Sequence, residues 1–374
     1  MKTGIPKYTV LILLAVITTS NGQSIIDHLN GTKTQVTNEI FDTNNVIDEV
    51  NNISAHNAPS KMTRKIRNDN DGNLLFSSYV DVIRYDGTSF TKFKKQDGLD
   101  SFDAFDVMQD SNGGTWVAST HFGLFYYPAP AGIKSGDKTF YHFTSKNGLV
   151  HDRTMSLYED RAGGIWIGAG GGLSYYDGKA KLNGQISFRN FTEKDGLTNS
   201  SVNTIMEDKS GNIWVGTRGT VSMYNPLAKF KKGELPFKEV KNDAGRPFEN
   251  VWSIIEDING NIWLGGQYGL WRYDGYSYTH LTSVSTQYVY EDKKGIIWFT
   301  HGADATHSIG LSYYDQNSLL GSTPKATQVY SGGGMLWGIA EDKDGAIWVG
   351  KLDGVFRYDG KSVNYFIDEY LKKY

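Results

Sequence analysis

The 374-residue chain has no cysteine, so disulfides, a thiolate metal site and a thiol nucleophile are all excluded. That absence does not decide the compartment. Neither sign of charge is in marked excess: the formal net charge is −3 and no basic run stands out. The electrostatic footprint of a nucleic-acid binder is therefore missing. The apolar run Val10–Ile17 (VLILLAVI) is too short to span a bilayer. What is plentiful is glycine, 43 residues, and aromatic side chains, 13% of the total. That composition suits many turns and packed sheets and does not suit a helical protein.

The start of the chain follows the three-part plan of a secretory signal peptide. Lys2 and Lys7 precede the apolar run, and Ser20-Asn21-Gly22 offers small residues for cleavage. A buried first strand is the alternative, and it would leave the charged flank and the small-residue exit as coincidences. With no cysteine near the cleavage site, a lipid anchor is excluded. The expected layout is a signal peptide over 1–22, a polar leader over 23–60 and one β domain over 61–374. The mature protein is expected to be periplasmic or secreted, with no membrane span. Within the leader, Val46–Ile53 (VIDEVNNI) has weak amphipathic spacing and reads as a short helix or an extra edge strand.

From there the chain repeats itself. Aligned on one aromatic position, the copies are NDNDGNLLF around Leu75, QDSNGGTWVAS around Trp116, EDRAGGIWIGA around Trp166 and EDKSGNIWVGT around Trp214. EDINGNIWLGG around Trp263, EDKKGIIWFTH around Trp298 and EDKDGAIWVGK around Trp348 complete seven. Each begins with a β-branched strand, turns at Asp and Gly, and continues into a second strand. A third strand (GLSYYDG, GLWRYDG) and a fourth (ISFRNF, YSYTHL) follow most copies. Four short strands per repeat of about 45 residues predict an all-β, seven-bladed β-propeller of four-stranded antiparallel blades. Blade 1 should start near Met62 and blade 7 end near Phe366, each with its four strands local. The ring would then close by face packing of blades 1 and 7, helped by the leader.

The repeated Trp is expected to pack between blades. Asp69-Asn70-Asp71-Gly72 and Asp342-Lys343-Asp344-Gly345 look like the front of a calcium loop, but they lack the distal bidentate Glu. They read as hairpin turns closed by Asp and Gly.

Phrases such as DGLTNSSVNTIMEDKSGNIWVGT and NGLVHDRTMSLYEDRAGGIWIGA resemble the two-component regulator propeller repeat. The resemblance covers roughly Met62 to Phe366. It implies a propeller like the periplasmic sensors of hybrid histidine kinases in polysaccharide-degrading Bacteroidetes. Those sensors continue into a β-sandwich, a membrane span and a kinase, whereas this chain ends after the seventh blade. The resemblance thus implies an exported propeller in a carbohydrate-linked setting.

In this strand order, the lead-ins to the inner strands and the turns between second and third strands share one face. Residues that depart from the repeat there are the candidates: His121, His151, Arg153, Arg218, Trp252, Tyr268, His301, Trp337 and Lys351. The set is basic and aromatic although the chain is slightly acidic. Arg grips carboxylate or sulfate and Trp or Tyr stacks on a sugar ring, so an anionic oligosaccharide is the expected ligand. For any single residue, a solvated loop rim is the plainer reading. His301, Asp304 and His307 could supply three zinc ligands, but loop spacings of this kind match by chance, and no metal or cofactor is expected. Two further classes remain open. A polysaccharide lyase would take His121, His151, Tyr268 or His301 as base, with Arg218 or Lys351 neutralising a uronate carboxylate. A protein-interaction platform would need a protein partner and large exposed aromatic patches.

Overall fold

Each repeat becomes one antiparallel sheet whose strands pair in chain order. A computed structural model describes residues 41–47, 50–93, 101–129, 140–177, 187–303, 308–321 and 324–368. The signal-peptide segment lies outside them. Seven such sheets are present, and their first strands are Thr63–Asn68, Ala104–Gln109, Thr154–Glu159, Val202–Glu207, Val251–Glu256, Thr286–Glu291 and Leu336–Glu341. Each first strand packs on the next, and the seventh packs on the first, so these strands surround the axis of a closed seven-bladed propeller. The second strands are buried along nearly their whole length.

The core is divided among the blade interfaces. Seven apolar clusters each combine residues of two neighbouring blades, as in Trp214, Ile254 and Leu264 between blades 4 and 5. The same pattern puts Trp348 on Ile66 and Phe76 at the seam between blades 7 and 1. The repeated Trp is thus the wedge between blades, and its polar atom is satisfied at home. Six indole Nε1–H groups donate to the Asp six residues earlier at 2.8–2.9 Å. The other oxygen of that Asp accepts turn amides, as Asp208 does from Ser210 and Asn212. These carboxylates are fully occupied as turn closures, and no group of residues among those described could hold a metal ion. In blade 1, where Leu75 replaces Trp, Arg84 Nε takes the vacated oxygen of Asp69 at 2.8 Å.

The Glu preceding the motif Asp has a different role. It accepts an amide from the hairpin turn of the preceding blade: Ser111 N to Glu159, Arg161 N to Glu207, Lys209 N to Glu256, Ile258 N to Glu291 and Lys293 N to Glu341. One dipeptide therefore closes its own turn and ties the blade to its neighbour. The Gly-Leu signature also has a local cause. Gly196 ends the 3-10 turn Glu193–Asp195 with φ +96°, and a Cβ there would lie 2.3 Å from the Phe237 carbonyl. Leu197 is then buried between blades 3 and 4.

The ring closes by more than face packing. Blades 1 and 7 do each hold four local strands, but the leader adds a fifth. Val50–Ala55 pairs in parallel with the outer strand of blade 7, Val363–Asp368. Before that, Asp42 bridges Thr327 and the Ile47 amide donates to Val329 on blade 6. Of the two forms expected near residues 46–53, the edge strand is the one adopted. The leader is a strap running outside blades 6 and 7 before the chain enters blade 1.

Candidate functional site

The lead-in face and the turns between second and third strands are joined by hydrogen bonds in six blades. Tyr79, Thr120, Gly170, Arg218, Gln267 and Gly302 each donate a backbone amide to a lead-in carbonyl of the same blade. One edge of the ring therefore carries both loop sets, and the opposite edge carries the Asp-Gly hairpins.

On this edge every inner strand is bulged. In each blade the register with the second strand slips just after the first residue, leaving the second unpaired, and in blade 7 the third as well. A bulge re-aims a side chain, and here it occurs seven times around the axis. The side chains are Arg64, Phe105, Met155, Asn203, Trp252, Gln287 and Trp337, a mixture of cationic, amide, thioether and aromatic groups. Neighbouring members touch, with the Arg64 guanidinium 4.8 Å from the Phe105 ring centre. Asn203 Nδ2 donates to the Val251 carbonyl of the next blade at 3.1 Å.

Four of the eight buried side-chain polar atoms that lack a hydrogen bond among the described residues lie here: Arg64 Nη1 and Asp103 Oδ1, an ion pair 4.0 Å apart, with Arg153 Nε and Gln287 Oε1. Burial pulls the Arg64 guanidinium below its ordinary value, while Asp103 and Tyr79 oppose that shift. Asp103 adopts φ +46° and its side chain is 3% exposed, yet it holds Nδ1 of His121, whose side chain is 68% exposed.

The sequence-derived candidates separate into groups. Trp252 and Trp337 are half-buried members of the bulge ring, and His121 stands at the rim beside Asp103 and Arg64. His151 is exposed, with Nδ1 accepting the Arg153 amide at 2.8 Å, and Arg153 Nη2 reaches Ser201 on blade 4 at 2.9 Å. Arg218 is exposed, and Tyr268 is 56% exposed with its carbonyl accepting from His280.

Two candidates face elsewhere. Lys351 is only 12% exposed, turned toward the outer strand of blade 7 with Nζ 4.1 Å above the Tyr365 ring and 3.4 Å from Asp353. His301 is fully buried at the end of its strand, 3.0 Å from Ser312 Oγ, with its ring 4.9 Å from that of Phe41. It packs beneath the leader strap. Asp304 and His307 lie outside the described residues. Sequence reasoning missed Arg64, Phe105, Asn203, Gln287 and Asp103. Laying the inner strands over one another does not single out the second position, because the third and fifth vary as much and nothing in the residues announces the bulge.

Fold and repeat together define a seven-bladed β-propeller. The model of the two component regulator propeller family matches residues 196–219 and 245–268, and the chain carries that repeat. A search of curated proteins finds no relative by sequence. Among solved structures, the extracellular domain of a putative hybrid two component system from B. thetaiotaomicron is similar at TM-score 0.60 and 17% identity, over 81% of this chain and 40% of that one. PorZ, a surface component of the type-IX secretion system of Porphyromonas gingivalis, matches at TM-score 0.60 and 17% identity, over 83% of this chain and 48% of that one. This chain thus spans less than half of either. Virginiamycin B lyase from Staphylococcus aureus matches at TM-score 0.57 and 12% identity, over 82% of this chain and 97% of that one. At such identities these likenesses establish the fold. No helix among the described residues is long and apolar enough to cross a membrane.

Proposed function

We propose that this protein is an exported binding module, a sensor or accessory propeller, that takes an anionic oligosaccharide at the bulge ring. The observation that carries this reading is the ring itself: one bulged position per blade, seven times around the axis and all on one edge. Its chemistry suits a sugar acid. Trp252 and Trp337 offer ring faces for stacking, Asn203 and Gln287 offer amides for hydroxyl pairs, and Arg64 offers a guanidinium. Arg153, Arg218 and His151 add cationic groups at the rim. The neighbour from a hybrid two component system is described as extracellular, which agrees with export directed by residues 1–22. The leader of 23–60 would then precede the propeller of 61–374, with a periplasmic or secreted destination.

The test is affinity electrophoresis against sulfated and uronate-containing polysaccharides. Retarded migration with one of them, and about tenfold weaker binding by Trp252→Ala and by Trp337→Ala, is the expected result. Equal migration of parent and variants on every glycan would refute it.

One observation favours a second reading, elimination chemistry. Asp103 holds His121 through Nδ1 and leaves Nε2 on the open side, the geometry of an oriented base. In that reading Nε2 takes the proton α to a uronate carboxylate and Arg64 neutralises the developing charge while the C4 oxygen leaves. The fold neighbour named a virginiamycin B lyase keeps this alternative in view. Rising ultraviolet absorbance from an unsaturated product, lost in His121→Ala, would establish it in place of simple binding.

A further inference from the structure

A second feature lies deeper along the axis and plays no part in the bulge ring. A cavity of about 310 Å³ is lined by Lys65 and Arg67 of blade 1, Tyr158 of blade 3, Thr204 to Glu207 of blade 4, Ser253 to Glu256 of blade 5 and Tyr288 of blade 6. It begins at the third position of the inner strands and runs toward the hairpin edge. At that third position most blades place a small residue, Ser156, Thr204, Ser253 or Gly338, and the space these leave is what Lys65 and Tyr288 project into.

One cation in it lacks a direct partner. Arg67 pairs bidentately with the fully buried Asp106, Nε to Oδ1 at 2.9 Å and Nη2 to Oδ2 at 2.7 Å, and Nη2 also donates to the Leu157 carbonyl. The Asp106 oxygens accept further from the Val107 and Leu157 amides. Lys65 is 7% exposed and its ammonium has no hydrogen bond among the described residues, resting 4.9 Å from the Tyr288 ring centre. Asp106 is thus saturated by Arg67 and two amides, and no carboxylate stands in hydrogen-bond contact with Lys65 among the described residues. The carboxylates at the far end of the lining, Glu207 and Glu256, accept the Arg161 and Lys209 amides of the preceding hairpins. An uncompensated buried ammonium is costly unless something pairs with it.

We propose that this axial cavity is a binding site for a small oxyanion, a sulfate or carboxylate group, with Lys65 as its counter-charge and the Tyr288 hydroxyl and cavity-lining Ser and Thr hydroxyls as further donors. The titration of Lys65 gives the site a pH signature. Burial pulls its ammonium down to about 8, with Asp106 opposing the shift and Arg67 adding to it. Tyr288 is pushed up to about 12 by burial, so its hydroxyl stays a donor throughout. Sulfate and glucuronate keep their charge between neutral and mildly alkaline pH, so any change in their binding there belongs to the protein.

The experiment is calorimetric titration of the purified protein with sodium sulfate and with sodium glucuronate, at constant ionic strength in chloride. Binding about tenfold weaker at pH ~9 than at pH ~7 is expected, because the protonated fraction of a group titrating near 8 falls by that factor. Lys65→Met should abolish binding while leaving the fold intact, since the substituted side chain keeps the length and loses the unpaired charge. Circular dichroism of that variant checks the fold. Lys361→Ala, an exposed lysine in an outer turn of blade 7, should bind both probes as the parent does. Sulfate binding alone marks an inorganic oxyanion, and glucuronate binding marks an organic acid. Either supports the site. No binding of either probe to the parent at neutral pH, or equal binding by a folded Lys65→Met, overturns the proposal.

Discussion

Asp257→Ala isolates what the motif Asp contributes to the propeller. Asp257 Oδ2 accepts from Trp263 Nε1 at 2.8 Å and from Asn261 Nδ2 at 2.7 Å, and Oδ1 accepts the Asn261 amide at 2.8 Å. Asn261 is partly exposed, so water can replace the carboxylate at its amide and side chain. Losing those turn bonds should cost about 1 kcal/mol. Trp263 has no exposed surface, so its indole N–H would be left buried without an acceptor, at about 1–3 kcal/mol. The sum is about 2–4 kcal/mol, read as a shift of the urea midpoint followed by circular dichroism. The Trp263→Phe background removes the N–H, and there the same Asp257→Ala change should cost only about 1 kcal/mol. An equal cost in both backgrounds would refute the reasoning, because the orphaned indole would then not be the source of the loss.

Other outcomes follow from the seam and the strap. Phe41→Ala, which empties a buried site against Phe299 and His301, should cost about 3 kcal/mol in the same urea assay. Gly350→Ala would place a Cβ 2.2 Å from the Thr63 carbonyl of blade 1. It should force blades 7 and 1 apart, lower stability by about 1–3 kcal/mol and raise proteolysis at the seam. Acid should act through the hairpin carboxylates. Burial alone would raise Asp342, but bonds from Trp348, Arg357 and the Ala346 amide outweigh it and leave its pKa below the ordinary value, and Asp69 is lowered in the same way by Asn73 and Arg84. A carboxylate depressed in the folded state stabilises fully above its unfolded pKa and loses that contribution as pH falls through the folded one. The urea midpoint should therefore hold between pH ~7 and ~5 and fall below pH ~4, with a shallower fall in Asp342→Asn.

Much of the fold was legible because its causes are local. Alternating apolar runs, Asp-Gly turns and an aromatic every 35 to 50 residues fix the strands, their order and the number of blades. The Asp–Trp pair is six residues long, and a lead-in turn such as Thr192–Leu197 spans as few. The face carrying the candidates was also readable, since strand order alone decides which loops share an edge. The tertiary structure decided whatever depends on distant partners. The leader has no repeat of its own, and it became a strand only because the outer edge of blade 7, more than 300 residues away in the chain, offers unpaired backbone. His301 reads as an exposed loop ligand until Phe41 covers it. Lys65, Arg67 and Asp106 sit on ordinary strand positions, and only closure of the ring places two cations and one carboxylate around a shared axis. Local periodicity specifies the blade, whereas burial and charge balance at the axis are properties of seven blades together.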